Sequence, residues 1–235
     1  MSQFLQYTVL YQQIVDEMAN QAPTVAKVNR AIDAELRNLQ TKYSIDSFRR
    51  KVAVSIKTDG TAYAVSSIIS NNDVRAIKSI KIVSDDTYFD EIVGVDYEVI
   101  MDNIKKQNPV NQFSCYYKDG VMYLRVITND LDDTARSFNI VYDTTNIAID
   151  GSGNYYNAVF SGSSDLYVLL PDRFCDLVSL GAQKRLFYQS IGESDQSQVS
   201  LVRNRYESEL NKLGLDNISK MTDRNNRKVK IRKPW

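Results

Sequence analysis

Phe48-Arg49-Arg50-Lys51-Val52-Ala53-Val54-Ser55-Ile56-Lys57 is where the pattern of this chain changes. Phe48, Val52, Val54 and Ile56 alternate with Arg49, Lys51, Ala53, Ser55 and Lys57. A period of two puts apolar side chains on one side of the backbone and polar ones on the other, which predicts a half-buried β-strand. Everything before this stretch repeats every three to four residues instead. Phe4, Tyr7, Tyr11, Ile14, Val15 and Met18 share one helical face over 3–19, and Val25, Val28, Ile32, Leu36, Leu39 and Tyr43 share another over 23–43. Asn20-Gln21-Ala22-Pro23 separates them. Pro23 suits the first turn of the second helix, where its missing N–H has no helical partner to lose. So short a break predicts an antiparallel pair of helices.

Downstream of Phe48 the strand signals continue. Asp59-Gly60 is a hairpin turn signal, with 61–65 returning as the partner strand. Residues 76–83 read as another strand, and Asp96 is placed to cap a short helix carrying Val99, Ile100 and Ile104 that ends before Pro109. The clearest hairpin runs from 113–117 through Lys118-Asp119-Gly120 to 121–127. A strand over 137–143 puts Phe138, Ile140 and Tyr142 on one face, and Gly151-Ser152-Gly153-Asn154 turns between 146–150 and 155–160. A short apolar strand, 166–170, stops at Pro171.

The helical period then returns. Phe174, Leu177, Val178, Gly181, Ala182 and Arg185 share a face over 172–188, and Val199, Val202, Tyr206 and Leu213 mark a last helix over 195–213. Leu213-Gly214-Leu215 has the form of a helix end, with Gly where a left-handed residue is needed. The layout predicts an α+β fold: N- and C-terminal helices (about 3–43 and 172–213) in one bundle, a β-rich insertion (about 47–170) between them, and an extended basic tail, 216–235, after a domain spanning 1–215.

Composition narrows the function. With 43% apolar and 25% charged residues, the 235-residue chain can bury a sizeable core. Its formal net charge is zero, so the molecule as a whole is not a generic polyanion binder. The charge is unevenly spread. Arg224, Arg227, Lys228, Lys230, Arg232 and Lys233 lie together with no acid among them, and setting these six aside leaves 23 basic residues against 29 acidic ones. Two cysteines, Cys115 and Cys175, make no disulfide framework and fit a protein made in a reducing cytoplasm. No signal peptide is expected at the start, and no run reaches the ~18 apolar residues of a membrane span.

Histidine is absent, which removes the side chain that titrates most readily near neutral pH and the usual partner of a nucleophilic Ser or Cys. The acidic pairs Asp85-Asp86, Asp90-Glu91 and Asp132-Asp133 read as solvated surface, and Asp130-Leu131-Asp132-Asp133 lacks the Gly and distal Glu of a calcium loop. Gly151-Ser152-Gly153 lacks the third Gly and following helix of a phosphate loop, and Asn217-Ile218-Ser219 is discounted as a glycosylation acceptor. The expectation is a protein that is not an enzyme and needs neither cofactor nor metal. Fifteen tyrosines suit both strands and interfaces. The basic segment has three readings: contact with phosphates, docking onto an acidic partner, or a solvated end. Trp235 favours docking, since Trp is a preferred anchor in a partner's pocket. Val229 and Ile231 alternate with Lys228, Lys230 and Arg232, which suits a strand added to a partner's sheet edge.

Leu169-Leu170-Pro171-Asp172-Arg173-Phe174-Cys175-Asp176-Leu177-Val178-Ser179-Leu180-Gly181-Ala182 resembles the segment before the closing helices of tailed-phage head-to-tail adaptor proteins, in which a strand ends in Leu-Pro and a helix bearing small residues follows. The closing helix with Tyr206-Glu207-Ser208-Glu209-Leu210, the opening helix pair, and the Tyr-x-Asp-Gly hairpin of Tyr117–Gly120 are similar to the same layout, over most of 1–215. The resemblance implies a structural virion protein at the head–tail junction. It would form a ring, typically of twelve copies, under the portal protein, join capsid to tail or nozzle protein, and line a channel through which DNA passes without sequence-specific binding. Arg224, Arg227, Lys228, Val229, Lys230, Ile231, Arg232, Lys233 and Trp235 would form the portal-binding tail. A tail terminator or stopper is the nearest alternative, and a DNA-binding protein using the basic tail is a further one.

Overall fold

A computed structural model of the chain describes residues 4–19, 21–43, 45–69, 73–84, 87–91, 111–128, 134–160, 165–189 and 196–229, and it is a mixed α+β protein. Its contacts divide it into two compact units, one formed by Met1–Phe48 with Asn146–Trp235, the other by Arg49–Thr145. The predicted helix over 96–104, Asp85-Asp86 and 130–133 lie outside the described residues.

In the first unit the chain opens with strand β1 (Phe4–Gln6) and helix α1 (Tyr7–Glu17), followed by α2 (Val25–Lys42). The continuous helix expected over 3–19 is therefore replaced at its start by a strand. Leu5 is buried there and pairs across to Val168, so sheet pairing wins over helical period. Thr24 is the residue before α2, which puts Pro23 outside the helix and not in its first turn. The later elements of this unit are β9 (Ala148–Asp150), β10 (Tyr155–Tyr156), β11 (Leu166–Pro171), α4 (Cys175–Gln189) and α5 (Gln196–Val229), where α4 and α5 follow a short helix of the second unit. The strands bond in the order β1-β11-β9-β10, all antiparallel. Gly153, at a φ of 89°, makes the β9–β10 turn, and Asp150 clamps it by accepting hydrogen bonds from Asn154 N–H, Asn154 Nδ2 and the Tyr156 hydroxyl.

The core of this unit draws Leu10 and Ile14 from α1, Ile32, Leu36 and Leu39 from α2, Leu166, Val168 and Leu170 from β11, and Leu177 and Val178 from α4. Helices α1 and α2 touch, but the main helical partner of each is α4. The reason lies in α4, where Ser179, Gly181 and Ala182 let α2 approach closely. At Gly181 an added Cβ would sit 2.5 Å from both Cγ and Cδ of Glu35 on α2. Glu35 is only 2% exposed, and its carboxylate is fully engaged. The Arg185 guanidinium approaches Oε2 through Nε and Nη2, both at 3.1 Å, while the Tyr206 hydroxyl donates to Oε1 at 2.7 Å and Asn38 Nδ2 at 3.2 Å. One buried carboxylate thus joins α2, α4 and α5.

Along α5, Val199, Val202, Tyr206, Leu210 and Leu213 form the packed stripe. The helix does not end at Gly214. It continues to Val229, and Gly214 does not take the left-handed conformation that a cap would need. Residues 216–229 are therefore helical where an extended tail was expected.

The second unit contains β2 (Arg49–Ile56), β3 (Tyr63–Ala64), the short helix α3 (Val65–Ile68), β4 (Val74–Ile82), β5 (Tyr88–Glu91), β6 (Asn111–Lys118), β7 (Val121–Thr128) and β8 (Arg136–Thr144). The strands bond in the order β2-β8-β4-β5-β6-β7-β3, antiparallel except for the parallel β5–β6 pair. One difference from expectation matters. The strand at 49–56 does not return through Asp59-Gly60. It pairs with β8, setting Val52 against Ile140 and Val54 against Phe138, while Tyr63 and Ala64 pair with β7. Matching two apolar faces over eight residues outweighs a local turn signal. The 118–121 hairpin does form locally, with Asp119 and Gly120 at φ of 51° and 77°, the pair of positive values a two-residue turn requires.

Because the Glu35 side chain is held on both oxygens, Gly181→Ala has no room to relax. It is expected to lower stability by about 1–3 kcal/mol, read as a lower urea midpoint with unchanged slope. Glu35→Ala in the same chain removes the atoms the new methyl would strike, so the pair should cost less than the sum of the two single changes.

Candidate functional site

The residues singled out in the sequence separate into three groups. Arg224, Arg227, Lys228 and Val229 fall on the last turns of α5, and Lys230, Ile231, Arg232, Lys233 and Trp235 lie outside the described residues. A helical backbone at Val229 replaces the alternating strand pattern expected of Val229 and Ile231 at that position. Asp90-Glu91 forms the end of β5. Gly151-Ser152-Gly153 is the β9–β10 turn.

Cys175 opens α4 and is half-buried, and its thiol donates to Gln13 Oε1 at 3.1 Å. Burial, followed by the nearby carboxylates of Asp176, Asp172 and Glu17, pushes this thiol up to about 11. Cys115, on β6, is pushed up to about 12 by burial and then by Glu91. Neither holds a thiolate near neutral pH, so neither is set up as a nucleophile or soft metal ligand. Among the described residues no group of three His, Cys, Asp or Glu side chains could hold a metal ion, and no helix is long and apolar enough to cross a membrane.

Two charged surfaces stand out instead, one in each unit. The first surrounds Cys175. Asp16 and Glu17 on α1, Asp172 in the turn before α4 and Asp176 in its first turn are all exposed there, with Gln13 donating to Asp176 at 3.1 Å and to Glu17 at 3.3 Å. Gln183 reaches the same Glu17 carboxylate from inside. Beside them is a groove of about 680 Å³ lined by Phe4, Leu5, Gln6, Val9, Tyr167 and Asp172, in which Val9 is 54% exposed. The groove follows β1, the outer strand of its sheet.

The second surface is the outer face of β2, β8 and β4, opposite the core formed by Val54, Ile77, Ile80, Phe138 and Ile140. Strand alternation places Arg49 and Lys51 on this face, and the bulges of β4 bring Arg75 and Lys78 onto it, with Lys81 further along. Asp143 is the acid at its centre. It is ion-paired with Arg49 at 3.6 Å, Arg75 at 3.3 Å and Lys78 at 3.3 Å. At the same end of the sheet Asp73 is buried on the core side, where it accepts from the Tyr142 hydroxyl at 3.0 Å and Thr144 Oγ1 at 2.7 Å, and lies 3.7 Å from Arg50 Nε. Lys81 stands over the exposed ring of Tyr88. Sequence reading found the Arg49/Lys51 alternation but missed Asp143 and Asp73. Their role depends on which strands become neighbours, and no spacing signal encodes that.

No protein-family model matches this chain, and no match was found among the curated proteins compared with it. The described residues present two charged faces, one in each unit.

The raised thiols set an expectation for reactivity. At pH 8 a group at about 11 carries roughly a hundredfold less thiolate than an ordinary cysteine. Alkylation of native Cys175 should therefore be slower by about that factor than in denatured protein, as timed mass spectrometry would show.

Proposed function

We propose that this chain is a structural protein of a tailed-phage virion: a head-to-tail adaptor that assembles as a ring beneath the portal protein and joins it to the tail or nozzle. In this reading the N- and C-terminal helices make one bundle carrying the β section as an insertion, and DNA passes through the ring without being read. The observation that supports it most directly is α5. The first half of this 34-residue helix is packed by Val202, Tyr206 and Leu213, and its axis then runs on to Val229 with Arg224, Arg227 and Lys228 near its end. A helix of that length spans about 50 Å, so it can carry a basic anchor well beyond the residues that hold it. Cations at a helix C-terminus are also favoured by its dipole. The layout resembling adaptor proteins supplies the identity of the partner, and the virion neck is the corresponding location.

The anchor is the segment from Arg224 to Trp235. Exposed charge pairs contribute only about 0–1 kcal/mol each, so Trp235 in a pocket of the portal provides the larger share. Truncation after Asp223 should leave thermal unfolding of the body unchanged and abolish stable capture by the cognate portal. Trp235→Ala should weaken capture more than any single Lys→Ala change. Imaging of the complex should show the portal's rotational symmetry. Capture of the truncated protein at normal strength, or a single copy per neck, would overturn the reading. A tail terminator would instead bind the tail tube, and a DNA-binding protein would shift duplex DNA with no portal present.

A further inference from the structure

The basic sheet face and the acidic groove lie on different units of the same chain, and each has what the other lacks. On the outer face of β2, β8 and β4 there are five cations, Arg49, Lys51, Arg75, Lys78 and Lys81, against one acid, Asp143. Between them the face carries only small or short side chains: Ala53, Ser55, Ser79, Ser137 and Asn139, with Val141 at the middle. Such a face is flat and lets another surface come close. Lys51, Ala53, Ser55 and Lys78 are exposed among the described residues. Setting aside these five cations with Asp143, and the six cations between Arg224 and Lys233, leaves 18 basic residues against 28 acids in the rest of the sequence. The chain is thus its own complementary polyanion.

We propose that this basic face docks on a second copy of the chain, at the acidic surface that Asp16, Glu17, Asp172 and Asp176 form beside the β1 groove. Beside the carboxylates is an apolar groove with Phe4, Leu5 and Val9 in its lining and Asp172 at its edge, and Val9 also lines the adjoining hollow with Asp16 and Glu17, the mix of apolar and charged groups of a protein interface more than of a phosphate track. On the basic side Asp143 fixes three of the cations in place, so they meet the partner already oriented. One protomer uses a different surface from the one its neighbour offers, which is a heterologous contact and propagates around a ring. The proposal rests on the ring reading above and assigns the contact between subunits.

The test is sedimentation velocity of the full chain at low ionic strength and again near 1 M salt, where the screening length falls to about 3 Å. Lys51→Glu/Lys81→Glu cancels the net charge of the basic face and leaves the Asp143 cluster intact. Asp16→Lys/Asp172→Lys cancels that of the acidic one, and in a mixture the intact basic face of the second variant still meets the intact acidic surface of the first. The wild type should associate with concentration at low salt and dissociate at high salt. Each variant alone should associate about tenfold or more weakly, and an equimolar mixture of the two should recover association, which a folding defect would not permit. A wild type that stays monomeric, or variants that associate like it, overturns the proposal. So does a lysine variant that loses binding to a duplex oligonucleotide while self-association is unchanged, since the face would then serve nucleic acid. Portal capture by the same variants separates the two readings. Recovered association without any portal capture leaves the interface standing and sinks the adaptor. Normal capture with no charge-dependent association does the reverse.

Discussion

The first unit depends on the burial of the Glu35 carboxylate. A charge removed from water must be met by other charges and donors, or the group costs several kcal/mol. Here the partners come from separate helices: Arg185 from α4, Tyr206 from α5, and Asn38 from one turn further along α2. The Tyr206 hydroxyl is held protonated by burial first and then by its bond to Glu35. Gly181 is required at the crossing because any side chain would occupy the space of the Glu35 methylenes. The three helices are therefore specified as a set, since losing one leaves a buried ion without its counterpart. The other polar groups of α2 extend the same logic. Asp33 accepts from Val159 N–H, Arg37 donates to Asn157 O, and Gln40 donates to Asn146 O, which ties the β9–β11 region to this one helix.

The second unit solves a comparable problem at one end of its sheet. Asp73 and Asp143 are nearly inaccessible, and each is matched by neighbours that the strand order brings alongside. The two solutions differ in what they leave outside. Around Glu35 the charges cancel within the core. Around Asp143 the cations exceed the acid, and the surplus is displayed on an exposed face. That surplus gives the unit a charged surface, while its apolar side, from Val54 to Tyr142, supplies stability.

Much of this was readable from periodicity. The alternation of Val52, Val54 and Ile56, the Asp119-Gly120 turn and the stripe of Val202, Tyr206 and Leu213 all report local geometry, and the structure places each as strand, turn and helix. What was not readable depends on partners distant in sequence. Phe4 to Gln6 fits a helical stripe and is a strand because β11 lies alongside. Thr61 to Val65 looks like the return of a hairpin, yet only Tyr63 and Ala64 pair, with β7, and Val65 opens α3, because β8 matches β2 better. Gly214 has the form of a helix end, yet it sits within α5. Glu35 was unremarked since an isolated Glu in a helix is ordinarily solvated. The run Ser179-Leu180-Gly181-Ala182 hinted at a close helix crossing without saying what would be crossed.

The discontinuity of the first unit bears on how the chain comes off the ribosome. Every strand partner of β2 to β8 among the described residues lies within 49–145, so those pairings are all available once Thr145 has emerged. The opening helices have no such opportunity. Leu10, Ile14, Ile32 and Leu36 face a core completed only by β11, α4 and α5. At about 5–20 residues per second, the interval between synthesis of Lys42 and of Gln189 is roughly 7 to 30 s. For that time α1 and α2 lack the rest of their core, while the strands of the other unit have all been synthesised. The order of synthesis thus completes the strand partners of the β unit well before the core partners of the opening helices.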